Sequence, residues 1–254
     1  MKNISPRVIA KALDILELFL KQEKEIGISE LADLTGFNVS TTHRIVSALV
    51  NRRYLKQQGK RGKYSLGLKF LEFYSALKKT LKIRDVAFPF IQKLHTISGE
   101  SVNLAILESN CAVYIEHVES SQFLRTFAEV GNRVPLHCTG IGKVFLAYMS
   151  EEELSFLTTE SLHRYTDNTI TDFNELKKEL LVVRREGVAV DNGEYDIGIR
   201  CVASPVRDMS GNVIAAISTS GPHTRLNAER LEELKTLIKS YGLEISRATG
   251  YTGS

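Results

Sequence analysis

The reading of this chain turns on residues 37–66. Phe37-Asn38 is followed by Val39-Ser40-Thr41-Thr42-His43-Arg44-Ile45-Val46-Ser47-Ala48-Leu49-Val50-Asn51. After Arg52-Arg53 comes Tyr54-Leu55-Lys56-Gln57-Gln58-Gly59-Lys60-Arg61-Gly62-Lys63-Tyr64-Ser65-Leu66. Laid out at about 100° per residue, the segment 39–51 is amphipathic. Thr42, Ile45, Val46, Leu49 and Val50 gather on one side. Ser40, His43, Arg44, Ser47 and Asn51 gather on the other, with Thr41 on the shoulder. One side is suited to burial, and the other is short, hydrogen-bonding and basic. The segment 54–66 alternates around a Gly-rich basic turn, which predicts two short strands in a hairpin.

Upstream, Ser5 is expected to cap a first helix with Pro6 at its first position. Ile9, Leu13, Leu16 and Leu20 share one face of that helix, with Ala12 and Phe19 beside them. Ser29 is expected to cap a short second helix carrying Leu31 and Leu34, closed by Gly36. Two helices, a third amphipathic helix and a basic hairpin, in that order, describe a winged helix-turn-helix. A major groove admits one α-helix, and bases are read by side chains that donate and accept hydrogen bonds at its edge. The candidate DNA-binding residues are therefore Ser40, Thr41, Thr42, His43, Arg44 and Ser47 on the helix, with Arg44 suited to a bidentate contact with guanine. Lys60, Arg61 and Lys63 on the hairpin are candidates for phosphate contacts. Charge agrees. Residues 1–82 carry 16 Lys/Arg against 7 Asp/Glu, and residues 83–254 carry 17 against 23, so net charges of +9 and −6 sum to the chain's +3. No acidic residue occurs from Leu34 to Leu71. Such asymmetry points to a nucleic-acid-binding part attached to something else.

Residues 67–82 are expected to form an apolar linker helix, with Leu68, Leu71, Leu77 and Leu81 near one stripe, followed by a helix over about 83–97. Beyond them the pattern alternates. Strands are expected at 102–107, 112–118, 188–191, 200–206 and 213–220, with a further strand at 123–129. Helices are expected at 138–149, 151–157 and 173–185, with a closing helix marked by Leu231, Leu234, Ile238, Tyr241 and Ile245. The fold class is α+β. The domains are residues 1–66 (DNA binding), 67–82 (linker) and 83–254 (a second domain).

Composition excludes several classes. The chain is 254 residues long, 43% apolar and 25% charged, values ordinary for a globular protein of two domains. No apolar run approaches the roughly 18 residues of a membrane span, and the N-terminus lacks the apolar stretch of a secretory leader, so a cytoplasmic location is expected. Three widely separated cysteines, Cys111, Cys138 and Cys201, fit reduced surroundings. Gly140-Ile141-Gly142-Lys143 fails as a phosphate loop because Val144, not Ser or Thr, follows the lysine. Two glycines at a helix start nevertheless leave N–H groups open to an anion. No nucleophile elbow or metal-ligand spacing occurs, so neither an enzyme, a metal nor a cofactor is expected. His117, His163 and His223 read as surface or core residues without chemistry.

The chain resembles the IclR-type transcriptional regulators. The N-terminal match runs from Ile28-Ser29-Glu30-Leu31-Ala32 through Ser40-Thr41-Thr42-His43-Arg44 to Lys63-Tyr64-Ser65-Leu66-Gly67. The C-terminal match comprises Pro135 to Lys143, then Gly187, Asp191, Glu194, Gly198, Arg200-Cys201-Val202-Ala203, Pro205-Val206, Asp208 and Gly211, and finally Ala216 to Pro222. Arg207 departs from the usual aromatic or histidine, Asn192-Gly193 from acidic residues, and Gly140 from alanine. The resemblance implies a winged helix-turn-helix, a linker helix that dimerises, and a GAF-like effector domain. The implied partners are double-stranded operator DNA and a small-molecule effector, such as an organic, keto, aromatic or sugar acid, that controls catabolic genes. Homodimer and homotetramer both stay open, as do repression and activation. Carried over by motif, the effector residues are Leu136, Gly140, Ile141, Asp191, Ile199, Cys201, Ser218 and Ser220.

Overall fold

The computed structural model describes residues 6–22, 24–59, 62–126, 128–155, 157 and 162–253. The chain divides into two units, Met1–Leu81 and Lys82–Ser254.

The first unit contains α1 (Pro6–Gln22), α2 (Ile28–Thr35), α3 (Val39–Asn51), β1 (Leu55–Gln57), β2 (Tyr64–Leu66) and α4 (Lys69–Thr80). Its core joins Ile15 and Phe19 of α1, Leu31 of α2, Ile45, Val46 and Leu49 of α3, and Leu55 and Tyr64 of the hairpin. The stripe of α1 that packs is thus Ile15 and Phe19, flanked by Ala12 and Leu16. Ile9, Leu13 and Leu20, expected on the same face, remain exposed. The cap expected at Ser5 lies outside the described residues. The cap of α2 is Gly27 rather than Ser29, because Leu31 N–H donates to Gly27 O at 2.9 Å and so places Ser29 inside the first turn. Strands β1 and β2 pair antiparallel, and Ile26 bridges to Tyr64. Along α4, Leu71, Phe73, Tyr74 and Leu77 are exposed, while Phe70 and Phe73 meet the Tyr54 ring at 5.7 and 5.8 Å.

The second unit contains α5 (Lys82–Ser98), β3 (Ser101–Glu108), β4 (Cys111–Val118), β5 (Arg133–Pro135), α6 (Gly140–Tyr148), a 3-10 turn (Glu153–Ser155), α7 (Phe173–Glu186), β6 (Ala189–Asn192), β7 (Ile199–Arg207), β8 (Val213–Pro222) and α8 (Ala228–Ala248). The six strands form one antiparallel sheet in the order β5-β4-β3-β8-β7-β6. Helices α6 and α7 share a core with Ala105, Ala189, Ala203 and Ala216 of the sheet, and α5 and α8 pack against the strands elsewhere. Period-two alternation assigns the strand residues. On β8, Ala216, Ser218 and Ser220 share the α6 side, and Ala215, Ile217 and Thr219 the other.

One expected element is replaced and another is met only in part. The edge strand is Arg133–Pro135, not 123–129, and it pairs Val134 with Ala112. The described part of 123–129 turns away from the ladder. Arg225 Nη1 donates to Leu124 O at 2.6 Å, the Thr126 hydroxyl lies 3.1 Å from Ser220 Oγ, and Phe123 is 99% exposed with no layer to cover it. Of the helix expected over 151–157, residues 153–155 form the 3-10 turn, residue 157 is helical, and residue 156 lies outside the described residues.

Candidate functional site

On the first unit, Asn38 starts α3. Its side chain accepts from Thr41 N–H at 2.8 Å and from the Ser40 hydroxyl at 3.0 Å. Sequence reasoning starts the amphipathic segment at Val39 and assigns Asn38 no role, so it misses this cap, which residue type and position could have revealed. Ser40, His43 and Arg44 are exposed, and Thr41 and Ser47 are half-buried on the same side. Thr42 corrects the expectation. It is fully buried, and its hydroxyl donates to Asn38 O at 3.1 Å, so it belongs to the core side and cannot reach a base. Lys63 is exposed next to the wing turn, and Lys60 and Arg61 lie outside the described residues. The outer side of α3 therefore presents hydroxyl, imidazole and guanidinium groups at the positive end of a helix, a combination suited to base edges and phosphates.

The second unit holds a cavity of about 320 Å³ beside the start of α6. Its walls include Asn103 of β3, Tyr114 of β4, Thr126, Asn132, Thr139, Ile141 of α6, Asp191 of β6, Tyr195, Ile199 and Cys201 of β7, and Ser220 of β8. Register explains the grouping. Asp191 is opposite Cys201, and Cys201 is opposite Ser220, so the three form one rung across the sheet. The next rung runs from Ala189 and Ala203 to Ser218, Asn103 and His117. Its alanines leave room for α6 to approach. A Cβ on Gly140 would lie 3.2 Å from Cys201 Sγ and 3.3 Å from the Ala203 Cβ. A Cβ on Gly142 would lie 2.3 Å from Leu136 O, so that position admits only glycine. Thr139 caps the helix: its hydroxyl accepts from Gly142 N–H at 3.0 Å and donates to Pro135 O at 2.7 Å. Gly142 N–H is thus taken by Thr139, Gly140 N–H bonds the Cys201 thiol, and Thr139 and Ile141 are the residues of the helix start that line the cavity.

Ile141, Asp191, Ile199, Cys201 and Ser220, all expected at an effector site, meet at this cavity. Leu136, Gly140 and Ser218 do not line it. Leu136 is buried in the core under α6, Gly140 packs on the sheet, and Ser218 is consumed by hydrogen bonds to Asn103 and the Cys201 thiol. Asn103, Tyr114, Thr126, Asn132, Thr139 and Tyr195 were not anticipated. Only the alternation of β3 and β4 hinted at the first two.

Burial sets the electrostatics. Asp191 is pushed up to about 7 by loss of water, against the pull of the Glu194 and Tyr195 N–H groups and the Lys143 charge. Its Oδ1 accepts from Glu194 N–H at 2.7 Å. Burial also pushes the Cys201 thiol up to about 12 and raises the Tyr114 phenol, so both are protonated hydrogen-bonding groups. Behind this wall, Lys143 of α6 is 1% exposed, with Nζ 2.5 Å from Glu194 Oε1 and 3.3 Å from Glu179 Oε1. Thr169 and Thr166 donate to Glu194 O at 2.7 and 3.2 Å. The lysine that failed the phosphate-loop test thus ties α6 to the segment carrying Asp191 and Tyr195.

Comparison with known proteins follows the same division. Residues 8–59 match the IclR helix-turn-helix domain, and residues 75–247 match the C-terminal domain of the bacterial transcriptional regulator IclR. The chain is 32% identical to the acetate operon repressor of Salmonella typhimurium over 96% of its own length and 90% of that protein's. It resembles the crystal structure of Thermotoga maritima IclR with a TM-score of 0.83 and 33% identity, covering 96% of this chain and 99% of the other. It also resembles an IclR homologue from Microbacterium hydrocarbonoxydans in complex with 4-hydroxybenzoate. There the TM-score is 0.85 and the identity 26%, covering 95% and 98% of the two chains.

Proposed function

Because the chain belongs to the IclR family of bacterial transcriptional regulators, DNA-binding proteins rather than enzymes, we propose that it represses a catabolic operon and is released from its operator by a small organic acid. Ser40, Thr41, His43, Arg44 and Ser47 read bases, and Lys63, with Lys60 and Arg61, holds phosphates. The effector occupies the cavity between α6 and the sheet.

The observation that carries the effector reading is the composition of that cavity's wall. One side is the start of α6, whose dipole favours an anion. The other carries the Ser220 and Thr126 hydroxyls and the Asn103 amide. Asp191 would repel a carboxylate if charged, but with its pKa raised to about 7 it is largely a neutral acid below that pH. The relative that binds 4-hydroxybenzoate supports an acid as ligand. Repression agrees with the acetate operon repressor, and release by an acid follows from the logic of a catabolic operon, which is needed only when its substrate is present.

Residues 67–82 act as the linker between residues 1–66 and 83–254 in this proposal. The exposed apolar faces of α1 (Ile9, Leu13) and α4 (Leu71, Leu77) are covered by a second copy. A dimer binds two half-sites about 10 bp, or a multiple of that, apart. The acid acts only through its difference in affinity between the DNA-competent arrangement and the other. The test has two parts. A thermal-shift screen of small keto, hydroxy and aromatic acids should find one that raises the melting temperature. That acid should then release a duplex taken from upstream of the chain's own gene in a gel shift. Stabilisation by neutral sugars alone, or no salt-sensitive binding to any duplex, contradicts the proposal.

A further inference from the structure

We infer that the effector is an elongated acid with oxygen at both ends: a carboxylate at the β8 end of the cavity, a hydroxyl or keto oxygen at the β6 end, and an apolar body between them. This names the ligand class of the effector reading above and rests on it.

The rung of Asp191, Cys201 and Ser220 supplies the length. The three are opposed on β6, β7 and β8 and all line the cavity, so their side chains stand in a row on one face. Neighbouring strands lie about 4.8 Å apart, which separates Asp191 from Ser220 by about 10 Å across the sheet. A hydrogen bond of about 2.8 Å at each end leaves upwards of about 4 Å between the ligand oxygens. An acid whose second oxygen is on the carbon next to the carboxylate is too short for that span. A para-substituted ring, or a chain of similar length, reaches both ends, and a cavity of about 320 Å³ has room for it.

The chemistry of the two ends differs. At the β8 end, Ser220 Oγ lies 3.1 Å from Thr126 Oγ1 and 3.4 Å from the Asn103 amide nitrogen, so neutral hydrogen-bonding groups gather there. At the β6 end, the Asp191 carboxyl is bonded by main-chain N–H groups of Glu194 and Tyr195, and no side chain among the described residues bonds to it. The Tyr114 phenol faces the same end, close enough to Cys201, Asp191 and Tyr195 for all three to raise its pKa. Its hydroxyl has no hydrogen-bond partner among the described residues. Burial raises the pKa of both groups, so both carry a proton to give. An uncharged oxygen accepts it. A second carboxylate would find no free cation: Arg133 in the cavity wall is paired with Glu108, and Lys143 behind it with Glu194 and Glu179. Between the ends, Ile141 and Ile199 line the cavity, and the Cys201 thiol is already engaged by Ser218 and Gly140 N–H.

The test measures dissociation constants by calorimetry on the whole chain at about pH 6, where Asp191 is protonated. One set of probes is benzoate with its para- and ortho-hydroxy derivatives. The other is hexanoate with a hydroxyl on the far carbon or beside the carboxylate. In at least one set the far hydroxyl should tighten wild-type binding about fivefold, the worth of one neutral hydrogen bond, and the near hydroxyl should not. Tyr114→Phe or Asp191→Ala should abolish that gain, whereas Ser220→Ala should weaken every acid of the set by a similar factor and keep it. The comparison of isomers on the wild type stands even if a variant fails to fold. A far hydroxyl that adds nothing in either set, a near one that adds as much, or a gain that survives in both the Tyr114 and Asp191 variants overturns the inference and leaves an acid as effector. A chain that binds none of these acids overturns both.

Discussion

Replacing Asp191 with asparagine should remove a specific dependence of stability on pH. The carboxyl sits in the cavity wall, with its pKa raised from 3.8 to about 7, chiefly by burial. Its unfolded-state value is close to 3.9. Between these two values the folded chain keeps a proton that the unfolded chain releases. The stabilisation is complete below about pH 4 and declines as pH rises through the folded value. Going from about pH 5 to about pH 8 therefore costs the wild type about 3 kcal/mol through this group alone. The amide oxygen of the substituted side chain would still accept from Glu194 N–H, but the variant would have no charge to bury. The assay is urea unfolding of both proteins at the two pH values, followed by circular dichroism. The difference in unfolding free energy between wild type and Asp191→Asn should shift by about 3 kcal/mol in favour of the variant as pH rises. A difference that stays constant within about 0.5 kcal/mol, the usual limit of additivity, would refute the claim that Asp191 is held neutral.

Other residues give sharp expectations. Thr42→Val should cost about 1 kcal/mol by removing the bond to Asn38 O, yet leave the DNA affinity of the folded protein unchanged; denaturant titration and anisotropy separate the two. Gly142→Ala should destabilise the fold severely, by about 3 kcal/mol or more in the urea assay, because its Cβ would collide with Leu136 O. Lys143→Met should cost about 3–5 kcal/mol by leaving Glu194 as an unpaired buried charge, and adding Glu194→Gln should recover much of it in the same urea assay.

Local pattern made the DNA-binding unit legible. The 3.6-residue period of α3, the polar hairpin and the acid-free stretch are properties of adjacent residues, and they survive into the structure almost unchanged. Where two apolar stripes competed, on α1, the choice of Ile15 and Phe19 over Ile9 and Leu13 was made by α2, α3 and the hairpin, which periodicity cannot see. The cavity was legible only through its motif residues. Asn103, Tyr114 and Thr126 come from segments distant in sequence and meet Ser220 by strand register, so no local spacing marks them. Lys143 was invisible for a different reason. A lysine is expected at the surface, and only its long-range pairing with Glu194 and Glu179 makes burial tolerable. The misplaced edge strand had the same origin, since Arg225 and Ser220 hold residues 124 and 126 away from the sheet.

The most direct measurement is fluorescence anisotropy of a labelled duplex from upstream of the chain's own gene, titrated with the protein in the presence and absence of an acid that raises its melting temperature. Three proteins are compared: the wild type, Arg44→Ala, and the double variant Ser220→Ala with Thr126→Ala. The acid should weaken wild-type binding by about fivefold or more, the range of a real coupling between sites. Arg44→Ala should lose specific binding, while the double variant should bind the duplex like the wild type and no longer respond to the acid. A wild-type dissociation constant that ignores the acid, or a double variant that responds normally, would contradict control of the DNA-binding face by this cavity.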